Sequence, residues 1–444
     1  MNFALSLLAI ILSFCIIFGS GNNRFLYFVC GITFMPFGVE IFPHLHAARL
    51  LIYASVISII IHNRDCHDLN KIPCFRAFAL LFLSHLLVGL FDTRVGPIVG
   101  LYKAINTYLE TFGCFYIGYV FAKHKIDAID ITKVLKPLAL IIGIYSMLCF
   151  LLGTDIFCNL LGGSDSMSDS RNRIAGFFFD SHVAGFAISI YLLMLLFDDY
   201  KKHIKIYFDI HIILLFAALL LTKSRSSFLD FCCGVLVMYM MIFLQSKKQS
   251  KYTSLLMYSF FVLLFSFLVG GSIFSQFIDA FQDDGGNTGG STVALRLQQL
   301  AYSWELFRNA PWFGNGFQYF WEVISAEGGF LSSMLMGAES YLFVLLIERG
   351  IIQIILVFYF FYSIGHFYVN THSRYSVIGL AILTAFLVNS FVTGNLYKWP
   401  FAFPFLGFYM RQIILHRYVF SINSFIQQRT LHRRNNKLCS KPKL

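Results

Sequence analysis

The sequence predicts an all-α polytopic membrane protein, with about 12–13 transmembrane helices and one large external loop that contains a short surface helix. Three observations predict it. Hydrophobic residues fill 57% of the 444 positions and charged residues only 13%, with a mean hydropathy of +0.69. A soluble chain of this size needs far more polar surface. The apolar runs recur at membrane length, about 20 residues each. They lack period-two alternation, and backbone in lipid must satisfy its own hydrogen bonds, so helices are selected over a barrel.

Taken in order, windows of ~20 residues place spans near 3–19, 25–42, 47–61, 75–91, 107–121, 134–152, 174–197, 206–222, 226–244, 254–281, 340–365, 375–393 and 398–415. The chain then divides into residues 1–281, with about ten transmembrane helices; a large loop over 282–338; the last three spans over 339–415; and a basic tail over 416–444. Phe3 to Phe18 has no basic residue before it and no small-residue cleavage site, so it reads as a retained span. Cys15, Cys30, Cys114, Cys149, Cys232 and Cys233 fall in apolar spans as small buried hydrophobes. Cys66 and Cys74 lack partners at zinc spacing, and Cys158 lacks a mate, so neither a metal nor a cofactor is expected.

Basic residues set the orientation. Most of the 34 Lys and Arg fall in one alternating set of loops together with the tail, which predicts a cytoplasmic C-terminus and an external loop over Gln282–Ala338. The net charge of +11 is accounted for by topology and by attraction to anionic lipid, so no nucleic-acid partner is expected. In the loop, Ser291 or Thr292 caps a helix that runs to Asn309, before Ala310-Pro311 stops it. Val293, Leu297, Leu300, Ala301, Trp304 and Phe307 share one face with Arg296 at its edge, as in a helix lying on the membrane surface. Pro311-Trp312-Phe313-Gly314-Asn315-Gly316 then makes a turn that cannot continue a helix, and Ala338-Glu339-Ser340-Tyr341 enters the next span.

External basic residues are fewer, so each needs a reason. Arg171 and Arg173 precede span seven, Lys223 and Arg225 occupy the turn between spans eight and nine, and Arg296 lies on the surface helix. Converging guanidinium groups suit a diphosphate, because the planar fork donates two hydrogen bonds to phosphate oxygens; snorkelling to lipid head groups is the alternative for any single arginine. Asp180 and His182, at the outer end of span seven, either meet sugar hydroxyls or pair within the bundle. Trp304, Trp312 and Trp321 fit an interfacial aromatic belt, with sugar stacking as the sharper option. Glu348 and Arg349 fall inside span eleven, where ionisable residues are functional hypotheses by default. Being adjacent, they do not face each other on a helix, and Arg349-Gly350 is also read as a packing device.

Five motifs in order carry a resemblance: Arg173 to Phe177 (Arg-x-x-Gly-Phe); Ser224 to Ser227 (Ser-Arg-Ser-Ser); Arg296 and Trp304; Pro311, Gly314 and Gly316; and Glu339 to Leu342 with Glu348 to Gly350. The stretch from about 170 to 350 resembles the bacterial O-antigen polymerase and O-antigen ligase superfamily. The resemblance implies metal-independent glycosyl transfer at the periplasmic face of the bacterial inner membrane, from a polyprenyl-diphosphate-linked glycan. It implies that Arg225 and Arg296 hold the diphosphate. Where the ligases have a proposed histidine base, this chain has Glu339, which favours a polymerase of O-antigen, capsule or exopolysaccharide repeats, acting on a sugar hydroxyl of a second lipid-linked repeat. An O-antigen ligase, with a lipid A-core acceptor, is the alternative. A lipid-linked glycan flippase is the second; a transporter is expected to show an internal repeat and paired broken spans, and this sequence shows neither.

The expected site therefore has Glu339, Arg225 and Arg296 as catalytic residues. Arg171, Arg173, Asp180, His182, Trp304, Gly314, Gly316 and Tyr341 are expected to bind substrate. Cleaving a sugar–diphosphate bond puts negative charge on the leaving group, which arginines stabilise; a carboxylate takes the acceptor proton. Arginines and a helix N-terminus would make Glu339 a weaker base, and burial would make it a stronger one. Glu305, Glu322 and Glu327 are alternative bases on the same loop. The expected partners are lipid-linked donor and acceptor, the bilayer and a chain-length regulator.

Overall fold

Apolar runs without a second, polar face close into helices that pack on one another, and the described part of this chain is built almost wholly in that way. The computed structural model describes residues 2–34, 40–42, 45–62, 72–92, 94–122, 131–157, 173–178, 180–201, 209–245, 293–324, 340–371, 373–393 and 398–416. Among these, five helices are long and apolar enough to cross a membrane: Thr132–Leu152, Ser181–Lys201, Arg225–Gln245, Tyr341–Val369 and Arg374–Val392. Shorter apolar helices cover Asn2–Phe18, Ala47–Ile61, Phe75–Leu90 and Ile210–Leu221, and a further helix runs over 399–416. The chain is a multi-pass, all-α membrane protein. The expected span near 254–281 lies outside the described residues.

Several boundaries differ from those expected, each for a local reason. The second helix ends at Phe34 instead of running to 42. Pro36 follows it, and a proline disfavours helix in the residue before it; beyond, Glu40–Phe42 pairs antiparallel with Leu45–His46. The fifth span begins at Pro97 instead of 107, since Gly96 supplies an extended N-cap and proline suits the first helical turn. Pro97–Tyr108 continues through a π-helical turn, Leu109–Gly113, into Cys114–Phe121. That turn carries Glu110, which pairs with Arg49 of a neighbouring helix. Span seven starts at Ser181 instead of 174, because the Asp180 carboxylate accepts from the amides of His182 (2.6 Å) and Val183 (3.0 Å) and caps it there.

Span eight starts at Ile210 instead of 206, capped by Asp209. Asp209 lies outside the helix and also holds Lys136 Nζ at 2.6 Å. Burial alone would raise its pKa, but hydrogen bonds from Lys136 and from the side chain and amide of His211 outweigh it and bring it down to about 2.

The helices that position the site pack in a chain of neighbours. Arg225–Gln245 lies against both Arg374–Val392 and Ser181–Lys201, while Tyr341–Val369 lies against Phe75–Leu90, Arg374–Val392 and Val293–Asn309. The core between them is unusually aromatic. Trp399, 1% exposed, meets Phe403 at 4.3 Å, Phe386 at 4.6 Å, Phe112 at 4.8 Å and Tyr341 at 5.4 Å between ring centroids. Each such pair contributes roughly 0.5–1.5 kcal/mol beyond its area.

Candidate active site

Two polar clusters lie on the two sides of that aromatic core. The first forms where Ser181–Lys201 begins and the turn into Arg225–Gln245 ends. Gly185 lets the two elements approach, since a Cβ there would meet Ser227 Oγ at 2.7 Å and Ser224 Cβ at 3.0 Å. Arg173 Nη1 lies 3.1 Å from His182 Nε2, and His182 Nδ1 lies 3.2 Å from Ser224 Oγ. A guanidinium can only donate, so Nε2 must accept and the proton must sit on Nδ1, directed at Ser224. Ser224 Oγ is 2.8 Å from Ser227 Oγ, which donates to the carbonyl of His182 at 3.4 Å. The chain of donors runs from an arginine to a serine turn through a neutral imidazole. Arg225, the next residue in that turn, opens the helix half-buried.

The same cluster extends inward through residues that the sequence did not single out. Asp230, 0% exposed, accepts from Asn389 Nδ2. Asn389 Oδ1 in turn accepts from Lys398 Nζ at 2.6 Å, and Lys398 also donates to Thr393 Oγ1. The buried side chain of Asp230 is thus linked through Asn389 to the buried amine of Lys398.

The second cluster is organised by a broken helix. Within Tyr341–Val369, Gly350 has φ 68° and ψ 177°, a conformation open to glycine and strained for other residues. The break frees two carbonyls and an amide that a regular helix would pair. The Pro311–Gly316 turn takes up all three: Asn315 N and Nδ2 donate to Ile347 O at 3.0 and 2.8 Å, Gly316 N donates to Glu348 O at 3.1 Å, and Ile351 N donates to Pro311 O at 2.8 Å. Gly314 (φ 73°) and Gly316 (φ 97°) have no room for a side chain, against Glu348–Arg349 backbone and the Asp92 carboxylate respectively. The Pro-x-x-Gly-x-Gly motif thus docks a loop onto a helix break.

Beyond the turn, charge pairs hold the loop to the bundle. Arg94 Nη2 binds Asp92 at 2.7 Å and Phe317 O at 3.1 Å, and Arg94 stacks on Tyr319 at 4.9 Å. Lys103 Nζ binds both oxygens of Glu322, at 2.6 and 2.5 Å. Glu322, expected as an alternative base, is therefore engaged by Lys103. Below the turn lies Arg349, 0% exposed. Its Nη1 donates to Tyr341 Oη at 3.1 Å and to His85 Nε2 at 3.4 Å, and His85 Nδ1 sits 2.8 Å from Leu81 O and 2.5 Å from Gln353 Nε2. Both nitrogens of His85 are occupied. The histidine that space brings near Tyr341 is accordingly not placed to take a proton from a substrate.

The structure brings Arg173, Asp180, His182 and Arg225 to one end of the bundle, and Gly314, Gly316 and Tyr341 to the loop and helix break, joined through the contact of Tyr341 with Trp399. The surface helix forms as Val293–Asn309. Its expected apolar face is split: Leu297 (60% exposed) and Trp304 (53%) point outward, whereas Phe307 is buried with Gln299 and Ser303, and the helix packs against Tyr341–Val369. Arg296 lies on this helix, but its side chain is outside the described residues, as are Arg171, Glu327 and Glu339. Missed in the sequence were His85, Asp92, Arg94, Asp230, Asn389, Lys398 and Gln353. The signal for most of them was a polar residue inside an apolar span.

Residues 210–358 match the family model described as O-antigen ligase. The matched stretch takes in the Ser224–Ser227 turn, the surface helix, the docked turn and Arg349, and leaves out Arg173, His182, His85 and Lys398. The chain matches no curated protein.

Proposed function

With residues 210–358 setting this chain in the O-antigen polymerase and ligase superfamily, we propose that it is a polysaccharide repeat-unit polymerase. It transfers a glycan from a polyprenyl-diphosphate donor to the hydroxyl of a second lipid-linked repeat, at the periplasmic face of the inner membrane. The observation that carries this reading is the donor chain from Arg173 through His182 to Ser224, next to Arg225. Such an array presents positive charge and fixed N–H dipoles where a diphosphate leaving group gains charge. The acceptor oxygen bonds to the anomeric carbon, the bond from that carbon to the diphosphate oxygen breaks, and the acceptor proton passes to a base, for which Glu339 is the candidate. Arg225 and Arg296 hold the diphosphate. Polymerase is preferred because Glu339 stands where a ligase would carry its histidine, and His85 is internally engaged.

Transfer to lipid A-core is the second reading, favoured by the description of the family model. A glycan ladder from a deletion strain separates the two. Single repeats on the final anchor are expected for a polymerase, and long chains stranded on the lipid carrier for a ligase. An unchanged ladder would remove both. Restored copies carrying Arg225→Ala or Glu339→Gln are expected to lose polymer at normal protein level.

A further inference from the structure

A guanidinium has five N–H groups, and those of Arg349 are unevenly used. Nη1 is held by Tyr341 and His85, whereas Nε and Nη2 are buried and reach no acceptor. Nε–H and one Nη2–H point the same way, forming the edge that takes two oxygens of one anion. The guanidinium is also fixed from its faces, with the Phe317 ring at 5.2 Å and the Tyr341 ring at 5.7 Å. No ion pair to Arg349 forms among the described residues. A buried cation whose N–H groups are left without acceptors costs several kcal/mol. Stacking on two rings returns only about 2 kcal/mol each at best. An oriented fork with two buried, unused donors is a site built for an anion.

We propose that the Nε/Nη2 edge of Arg349 binds a phosphate group, of the lipid-linked donor or of a free phosphate species. The lipid-linked form of this inference rests on the polymerase and ligase reading given above. The position fits it. Arg349 is adjacent to the break at Gly350, beneath the docked Pro311–Gly316 turn, and its Tyr341 contact leads through Trp399 toward the cluster that holds Lys398. Both donor atoms are closed off from solvent, so entry requires a covering group to move. Phe317, on the loop that Arg94 holds, is one such cover, its ring against the guanidinium.

The test uses the full chain in lipid nanodiscs, titrated with farnesyl diphosphate and separately with inorganic pyrophosphate, for wild type, Arg349→Lys and Arg225→Ala. Lysine keeps the charge and loses the fork, so Arg349→Lys is expected to bind both probes at least about tenfold more weakly, as removal of one charge-assisted hydrogen bond would give. Wild-type affinity in Arg349→Lys overturns the proposal, and if Arg225→Ala is weakened in the same experiment the lipid-diphosphate reading still stands. Arg349-dependent binding of pyrophosphate without binding of farnesyl diphosphate keeps the phosphate site and overturns its lipid-linked source. No binding of either probe to wild type overturns the proposal outright. Should Arg349→Lys fail to fold, a structure of wild type with farnesyl diphosphate decides. Phosphate oxygens within hydrogen-bond distance of both Nε and Nη2 support it, and a bound diphosphate placed elsewhere overturns it.

Discussion

At the scale of single residues, His182 is the hinge of the first cluster, because its two nitrogens must play opposite roles for Arg173 and Ser224 both to be satisfied. Glutamine can reproduce that division, its oxygen accepting from the arginine and its amide donating to the serine, whereas alanine can do neither. Polymer formation in a restored deletion strain is therefore expected to fall roughly tenfold or more with His182→Ala, the equivalent of one or two hydrogen bonds, and to be largely kept by His182→Gln. Equal losses for the two variants would remove the relay role. Arg173 and His182 were legible in the sequence as polar residues beside a span. Their partner Ser224 was legible only as part of a motif, since the contact joins residues 42 apart in the chain. Asp180 was read as either a sugar contact or a member of a polar pair within the bundle, and its carboxylate also caps the helix, a role the sequence reading did not give it.

At the scale of elements, the break at Gly350 and the Pro311–Gly316 turn form one unit. Gly350→Ala forces an L side chain into a left-handed conformation and puts its Cβ 2.5 Å from Trp312 O, which costs roughly 1–3 kcal/mol for the conformation alone. Asn315→Ala removes two side-chain bonds, to Leu306 O and Ile347 O, at about 1–2 kcal/mol. Both variants are expected to lower the midpoint of thermal unfolding in detergent, and the double variant to lose less than the sum, because both undo the same docking. Strict additivity would mean that turn and break are independent. The sequence showed the turn, and it placed Tyr341–Val369 to one residue at its start and four at its end. It could not show that the one repairs the other, because the hydrogen bonds lie between segments about 35 residues apart and follow from a backbone angle, not from hydropathy.

At the scale of the whole molecule, both clusters meet the ends of helices that point the same way, while Lys136–Asp209 and Arg411–Tyr119 lie at the opposite end. The fold class was legible because apolar composition and run length determine it. The helix starts were less so, because capping by Asp180, Asp209 and Gly96 overrides a hydropathy window. The orientation in the cell rests on the distribution of basic residues and is open to direct measurement. In a background with the native cysteines replaced, a cysteine at exposed Glu305 is expected to react with a membrane-impermeant maleimide in intact cells whose outer membrane has been permeabilised, and one at exposed His416 only after lysis. The reverse pattern would put the arginine cluster in the cytosol and end the case for a periplasmic transferase.

The stitching of Asn315 to Ile347 has an evolutionary corollary. The bond from Asn315 to Ile347 ties two points 32 residues apart in the chain, like the bight of a rope secured at a cleat. Because doubling such a closed stretch adds only about 0.6 kcal/mol in closure entropy, insertions between the two tied points leave the knot itself in place. The turn and the break can then stay joined whatever the length of chain between them, and the membrane scaffold beneath has no need to change.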